Sequence, residues 1–172
     1  MTTQTHAHPQ ASHGAPVADT RQLVGFSFYR LDPAWRRLPK AAKHDHTGEL
    51  LGVIHHYSKK LMTLTYSLVG MKADVDFLIW RGGSQLEDLQ EMSAAVWQTQ
   101  MGSYLATPHA YLSMTKRSLY GDKIDPDHPA RRRFITPAHS KYLFVYPFVK
   151  TRDWYLLPFE ERQAMMDEHI SI

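Results

Sequence analysis

Cysteine is absent from all 172 residues. Its absence excludes disulfides, thiolate metal sites and thiol nucleophiles, and leaves histidine, carboxylate and tyrosine to carry any metal chemistry. No apolar run approaches the ~18 residues that a membrane-crossing helix needs. The opening MTTQTHAHPQASHGAPVADT lacks the apolar centre of a signal peptide, so a cytoplasmic protein is the expectation. A strong charge of either sign is missing too: 20 Lys and Arg stand against 17 Asp and Glu, a net +3 with His neutral. No strand interleaves basic and aromatic residues as a single-stranded nucleic-acid platform does, so no nucleic-acid partner is expected. The one sharp basic concentration is Arg131-Arg132-Arg133, which suits either a solvated loop or the seat of an anion such as a phosphate or a propionate.

What the chain does have is 43% apolar residues, enough to bury one core, in one domain or in two small halves packed together. Residues 1–20 hold little to bury and read as a disordered leader in which His6, His8 and His13 are incidental. From Gln22, LVGFSFYRL alternates as a strand. Asp32-Pro33 then suits a helix start, with Asp as N-cap and Pro in the first turn; the helix is expected to break or kink at Pro39 and Gly48. LMTLTYSLVG and DVDFLIWRG follow as two strands in hairpin order around Gly70–Ala73. SQLEDLQEMSAAVWQTQMG reads as an amphipathic helix: Ser84 and Glu87 form a capping box, Leu86, Leu89, Met92 and Val96 a buried stripe, and Gly102 the end. PHAYLSMTKRSLY closes the set as a strand. Strand, helix, strand, strand, helix, strand is the ferredoxin-like split βαβ order, an α+β fold with two helices on one face of an antiparallel sheet. Among the histidines of the first helix, His44 and His46 point apart, as do His55 and His56, and neither pair has zinc-ligand spacing.

Residues 121–140 read as a connecting loop, and KYLFVYPFVK as a fifth strand. A helix opened by Pro158 and running FEERQAMMDEHI follows, as though a second ferredoxin-like half began at residue 141. On that helix Arg162, Met165, Met166 and His169 fall at i, i+3, i+4 and i+7 and share one face. Histidine beside two polarisable methionines suits a large flat apolar ligand, and a histidine in a helix's last turn is equally favoured by the macrodipole alone. Period two puts Tyr146, Phe148 and Lys150 on one strand face, with Pro147 marking an edge or bulge. Tyr146 and Lys150 suit an oxidisable phenol with a proton donor beside a ligand, or equally a core tyrosine and a lysine at an exposed strand end. Trp154 and Tyr155 suit core aromatics, or a pocket wall and electron-hole conduit.

FYRLDPAWRRLP, YSLVGMKADVDFLIWRGGSQLEDLQ, YLSMTKRSLY and KYLFVYPFVKTRDWYLLPFEERQAMMDEH, spanning about Leu23 to His169, together resemble the chlorite dismutase family of haem proteins. That family is built from two ferredoxin-like halves. Within it the chain looks most like the coproheme decarboxylases, whose Tyr-Pro-x-x-Lys, Trp-Tyr and Glu-His pattern falls on Tyr146, Pro147, Lys150, Trp154, Tyr155, Glu168 and His169. Chlorite dismutases proper generally lack the Tyr of the Tyr-Pro pair and carry Trp-Trp at positions 154 and 155.

The resemblance implies peroxide-dependent conversion of iron coproporphyrin III to haem b, with two propionates becoming vinyls. His169 would be the proximal iron ligand and Tyr146 the phenol oxidised to a radical that attacks a propionate. Lys150 would partner that propionate and its protons, and Arg133 would contact a propionate. Pro147, Phe148, Val149, Trp154 and Met166 would complete the cofactor contacts. It further implies hydrogen peroxide as co-reactant and a homo-oligomer, a pentamer. Family members continue beyond Glu-His, so the second half, 141–172, is expected to be incomplete. A haem-binding protein without turnover, or a truncated structural subunit, are the alternatives.

Overall fold

The computed structural model describes residues 21–116, 120, 134–137 and 141–171. Its frame grows from one strand, β1 (Leu23–Leu31), whose two sides meet different surroundings. After it come α1 (Pro33–Arg36), α2 (Lys40–Tyr57), β2 (Met62–Ser67), β3 (Phe77–Gly83) and α3 (Leu86–Gln98). A 3-10 turn (Gly102–Tyr104) leads to β4 (Leu105–Met114), and α4 (Arg152–Leu156) and α5 (Phe159–Ser171) close the order. The four strands form one antiparallel sheet in the order β2-β3-β1-β4, the ferredoxin-like arrangement that the element order predicts.

Register decides what each face carries. Gly25 pairs with Arg81 and with Leu112, while Phe26 pairs with Trp80 and Tyr111. Odd positions of β1 and β3 therefore face α2 and α3, where Tyr29, Leu50, Ile79, Leu89, Met92, Val96 and Leu105 form the main core. The even positions carry a second cluster of Phe28, Val75 and Leu78, onto which Leu143 and Val145 pack. Fully burying an aliphatic side chain stabilises by about 1.5–3 kcal/mol, so these clusters hold the sheet between its helices on one side and residues 143–145 on the other. Among the described residues one charge lies inside: Arg81, 6% exposed, on the helix side of β3.

Asp32 caps α1 as its sequence suggests, accepting from Ala34 N at 2.7 Å, with Pro33 in the first turn. The chain breaks before Pro39, whose missing N–H starts α2; Gly48 lies within α2 and does not break it. The α3 capping box is a correction. The N-cap is Gln85, without a side-chain bond, and the helix ends at Gln98 rather than at Gly102. Thr99 ends it instead: its Oγ1 bonds Val96 O at 2.7 Å and accepts Gly102 N at 2.9 Å. Leu86, expected in the buried stripe, is half exposed. It stands at the first helical residue, beyond the sheet that covers Leu89, Met92 and Val96.

The fifth strand expected at 141–150 joins no ladder among the described residues. Leu143 and Val145 pack on the face of the existing sheet, so among the described residues the segment is anchored by side chains rather than by ladder pairing. Alternate residues still separate, since Phe144, Tyr146 and Phe148 point outward.

Candidate functional site

Thr151 Oγ1 accepts from Trp154 N at 3.3 Å and so caps the short α4, which carries Trp154 to the surface of the next helix. Pro158 accepts from Arg162 N at 3.2 Å and opens α5, with Glu160 and Glu161 in its first turn where the macrodipole favours anions. The two helices thereby bring together residues well separated in sequence. Tyr120 stands edge-on to Trp154, centroids 5.8 Å apart, and stacks on Phe159 at 5.7 Å. Arg162 Nη1 donates to the Tyr120 hydroxyl at 3.3 Å, and Gln163 Nε2 donates to the Tyr120 carbonyl at 3.1 Å and to Asp167 Oδ1 at 2.6 Å.

Into this cluster reaches Lys150. Its Nζ lies 3.7 Å from the Trp154 ring centroid and donates to Met166 Sδ at 3.4 Å. The Arg162 guanidinium is 5.5 Å from the same indole. Loss of surrounding water, and then the Arg162 charge, pull the Lys150 ammonium below the usual lysine value. Neither cation meets a carboxylate among the described residues. Two cations beside one indole, with no carboxylate on either among the described residues, make a cradle that suits an external carboxylate.

Of the residues singled out in the sequence, Lys150, Trp154 and Met166 converge here. Tyr146 and Phe148 stack at 6.1 Å in a different place, on an open cleft of about 430 Å³ that Pro147 also lines, walled by Phe26, Tyr111, Leu143 and Val145. Val149 is 91% exposed. Tyr155 stands edge-on to Trp154 at 5.1 Å, its other side open. His169 lies exposed on the last turn of α5, one turn beyond Met166. The expected common face of α5 is divided: Arg162 and Met166 turn to the cluster, while Met165 and His169 are exposed. No contact between Tyr146 and His169 is made among the described residues. Arg133, with Arg131 and Arg132, lies outside the described residues, as do His6, His8 and His13. Sequence reasoning missed Tyr120, Phe159 and Gln163. Only the i, i+4 pairing of Gln163 with Asp167 left a signal, since Tyr120 sits past the end of β4 where no periodicity reports on it.

The family model described as chlorite dismutase matches residues 43–172, three quarters of the chain. The chain belongs to the chlorite dismutase family. The match to that family takes in most of α2 and the elements that follow through α5, and so includes Lys150, Trp154 and His169. A mutant chlorite dismutase from Candidatus Nitrospira defluvii is 21% identical with a TM-score of 0.71, covering 87% of this chain and 64% of its own. The chlorite dismutase of the same organism in complex with imidazole is also 21% identical, with a TM-score of 0.70 and coverage of 87% and 63%. A novel heme-binding protein from Thermus thermophilus is 22% identical, with a TM-score of 0.65 and coverage of 86% and 64%. These likenesses carry the fold. The chain spans a little under two thirds of the length of those solved relatives.

Proposed function

We propose that the chain binds an iron porphyrin and acts as a peroxide-dependent coproheme decarboxylase, taking iron coproporphyrin III to haem b. The observation that carries this reading is the contact of Lys150 Nζ with Met166 Sδ at 3.4 Å. It ties the segment bearing Tyr146 to the helix bearing His169 and holds between them a cation that meets no carboxylate among the described residues. The residues present fit the group. His169 offers an open imidazole, Met166 a soft flank, and Lys150 with Arg162 the charge a propionate requires.

Held there, an iron porphyrin would supply the oxidative chemistry, with peroxide as the oxidant. His169 holds the metal, Lys150 orients one propionate and exchanges protons with it, and Trp154 keeps the Lys150 ammonium partly dried and in place. Tyr146 contributes the phenol that relays oxidation to the propionate. Pro147, Phe148 and Val149 wall the macrocycle, and Arg133 takes a further propionate. Each propionate becomes a vinyl by consuming one peroxide and releasing one carbon dioxide and two waters. A cytoplasmic location and pentameric assembly belong to the same reading.

A second reading, a haem-binding protein without turnover, draws on the position of Tyr146, two-thirds exposed and stacked on Phe148 away from α5. Titration with iron coproporphyrin tests both: a Soret shift abolished by His169→Ala is expected, and its absence in the unsubstituted chain rules out both. Added peroxide then separates them. Decarboxylation yields two carbon dioxides and fails in Tyr146→Phe, whereas a binding protein only bleaches.

A further inference from the structure

Among the described residues, the buried Arg81 lacks a partner for one edge of its guanidinium. Its Nη1 donates to Leu89 O at 3.0 Å and Ser93 Oγ at 2.5 Å, and its Nη2 donates to Ser27 Oγ at 2.6 Å. Nε is buried with no partner among the described residues. Nε, on the side-on edge by which a guanidinium grips a carboxylate, is therefore unpaired among the described residues. Guanidinium stays charged inside proteins, and the ionisable group it is coupled to is Tyr29, whose hydroxyl burial pushes up so that it stays neutral. A buried charge in a folded protein is nearly always paired. This one meets no carboxylate among the described residues.

Gly25 sets where the unpaired edge lies. A Cβ there would meet Nη2 at 3.6 Å and Nε at 3.8 Å, so the fork rests over the bare backbone between β3 and β4. Beside it opens a cleft of about 390 Å³ bounded by α3 and β4, with Leu86, Leu89, Ser93, Ala110 and Leu112 in its walls. The helices leave this side of β4 uncovered, and Leu86, Leu112 and Met114 are 44%, 60% and 52% exposed. Among the described residues, Arg81 is the only cation in the lining.

We propose that the cleft between α3 and β4 is a binding site for a small monocarboxylate with an apolar body, gripped by the Nε/Nη2 edge of Arg81. One cation suits one negative charge; a phosphate, carrying nearly two, would want a second cation that the described walls lack. Leu86, Leu89 and Leu112 receive the apolar body, and the shielding of Nε from bulk water strengthens the charge-assisted bonds formed there. The site is on the helix side of the sheet, opposite the face where Tyr146 lines its cleft, and is independent of the porphyrin reading.

The test uses the purified chain and the Arg81 Nε–H resonance in ¹H–¹⁵N spectra. Octanoate is expected to move it saturably, acetate to bind at least tenfold more weakly, and inorganic phosphate to leave it unmoved. Arg81→Met should abolish octanoate binding while the thermal midpoint holds or rises. Leu112→Glu, which sets a tethered carboxylate across Gly25 from the guanidinium, should shift the resonance without ligand and block octanoate. The last variant decides if Arg81→Met fails to fold. An unmoved Nε–H in octanoate, equal binding of phosphate, or undiminished octanoate affinity in either variant overturns the proposal.

Discussion

The ammonium of Lys150 lies 3.7 Å from the centre of the Trp154 ring, and Trp154 is itself held by the Thr151 cap of α4. A cation–π contact at a partly exposed site contributes about 0.5–1 kcal/mol. Trp154→Leu is expected to lower the stability of this lobe by about that much, and to return the lysine toward its ordinary titration as water reaches it. Titration of Lys150 after reductive ¹³C-methylation reports the second effect, and it should fall short of Arg162→Met plus Trp154→Leu combined, because Arg162 also depresses the ammonium.

Lys150→Met tests the cradle directly. Loss of one charge-assisted hydrogen bond amounts to about 1.5–3 kcal/mol, so the Kd for iron coproporphyrin should rise by roughly tenfold or more while the Soret shift at saturation persists. An unchanged Kd would remove Lys150 from the porphyrin contacts. Tyr146→Phe should bind as the unsubstituted chain does and release no carbon dioxide.

Asp74 accepts from Lys72 and meets His109 of β4, and these contacts, Lys72 first, hold its carboxyl down at about 2. A folded-state value below the unfolded one means that the unfolded chain binds the extra proton. The stabilisation is therefore complete above the ordinary carboxylate value and is lost as pH falls toward about 2. The difference in thermal midpoint between the unsubstituted chain and Asp74→Asn should be largest near neutrality and close below pH 4, vanishing near pH 2.

Two core substitutions should act through packing alone. Met92 is fully buried, and Met92→Ala should cost about 2–5 kcal/mol in denaturant unfolding by leaving a cavity between α3 and the sheet. At Gly102 an added Cβ would sit 2.5 Å from Trp97 O and 2.6 Å from Val96 O. Backbone cannot swing aside, so Gly102→Ala should cost about 1–3 kcal/mol.

Period and order made the first half legible. β1 alternates, Asp32-Pro33 caps α1, and Leu89, Met92 and Val96 recur at helical spacing, so sheet and helices could be written from the sequence. Positions governed by competing local bonds were not: Ser84 has the right spacing to Glu87 for a box, yet Gln85 is the N-cap, and Thr99 ends α3 before Gly102 is reached. Period two in 141–150 predicted the alternation as far as Tyr146, but Phe148 and Val149 are both exposed and Lys150 leaves their face for the Trp154 cluster; nor did it predict pairing, since alternation reports which side meets apolar surface and says nothing of a neighbouring strand. At the site, Lys150, Trp154 and Met166 were readable as residues, whereas the arrival of Tyr120 from thirty or more positions away depends on chain reversal that no local spacing encodes.

β1 lies inside the sheet, hydrogen-bonded to β3 on one side and β4 on the other, although it is made before either. During synthesis it must therefore wait, its apolar side chains without a sheet, until β3 has emerged, and its second flank stays open until residues 105–114 leave the ribosome. The frame closes late, through long-range pairing. Nascent chains halted between α3 and β4 should accordingly be the ones most in need of a chaperone.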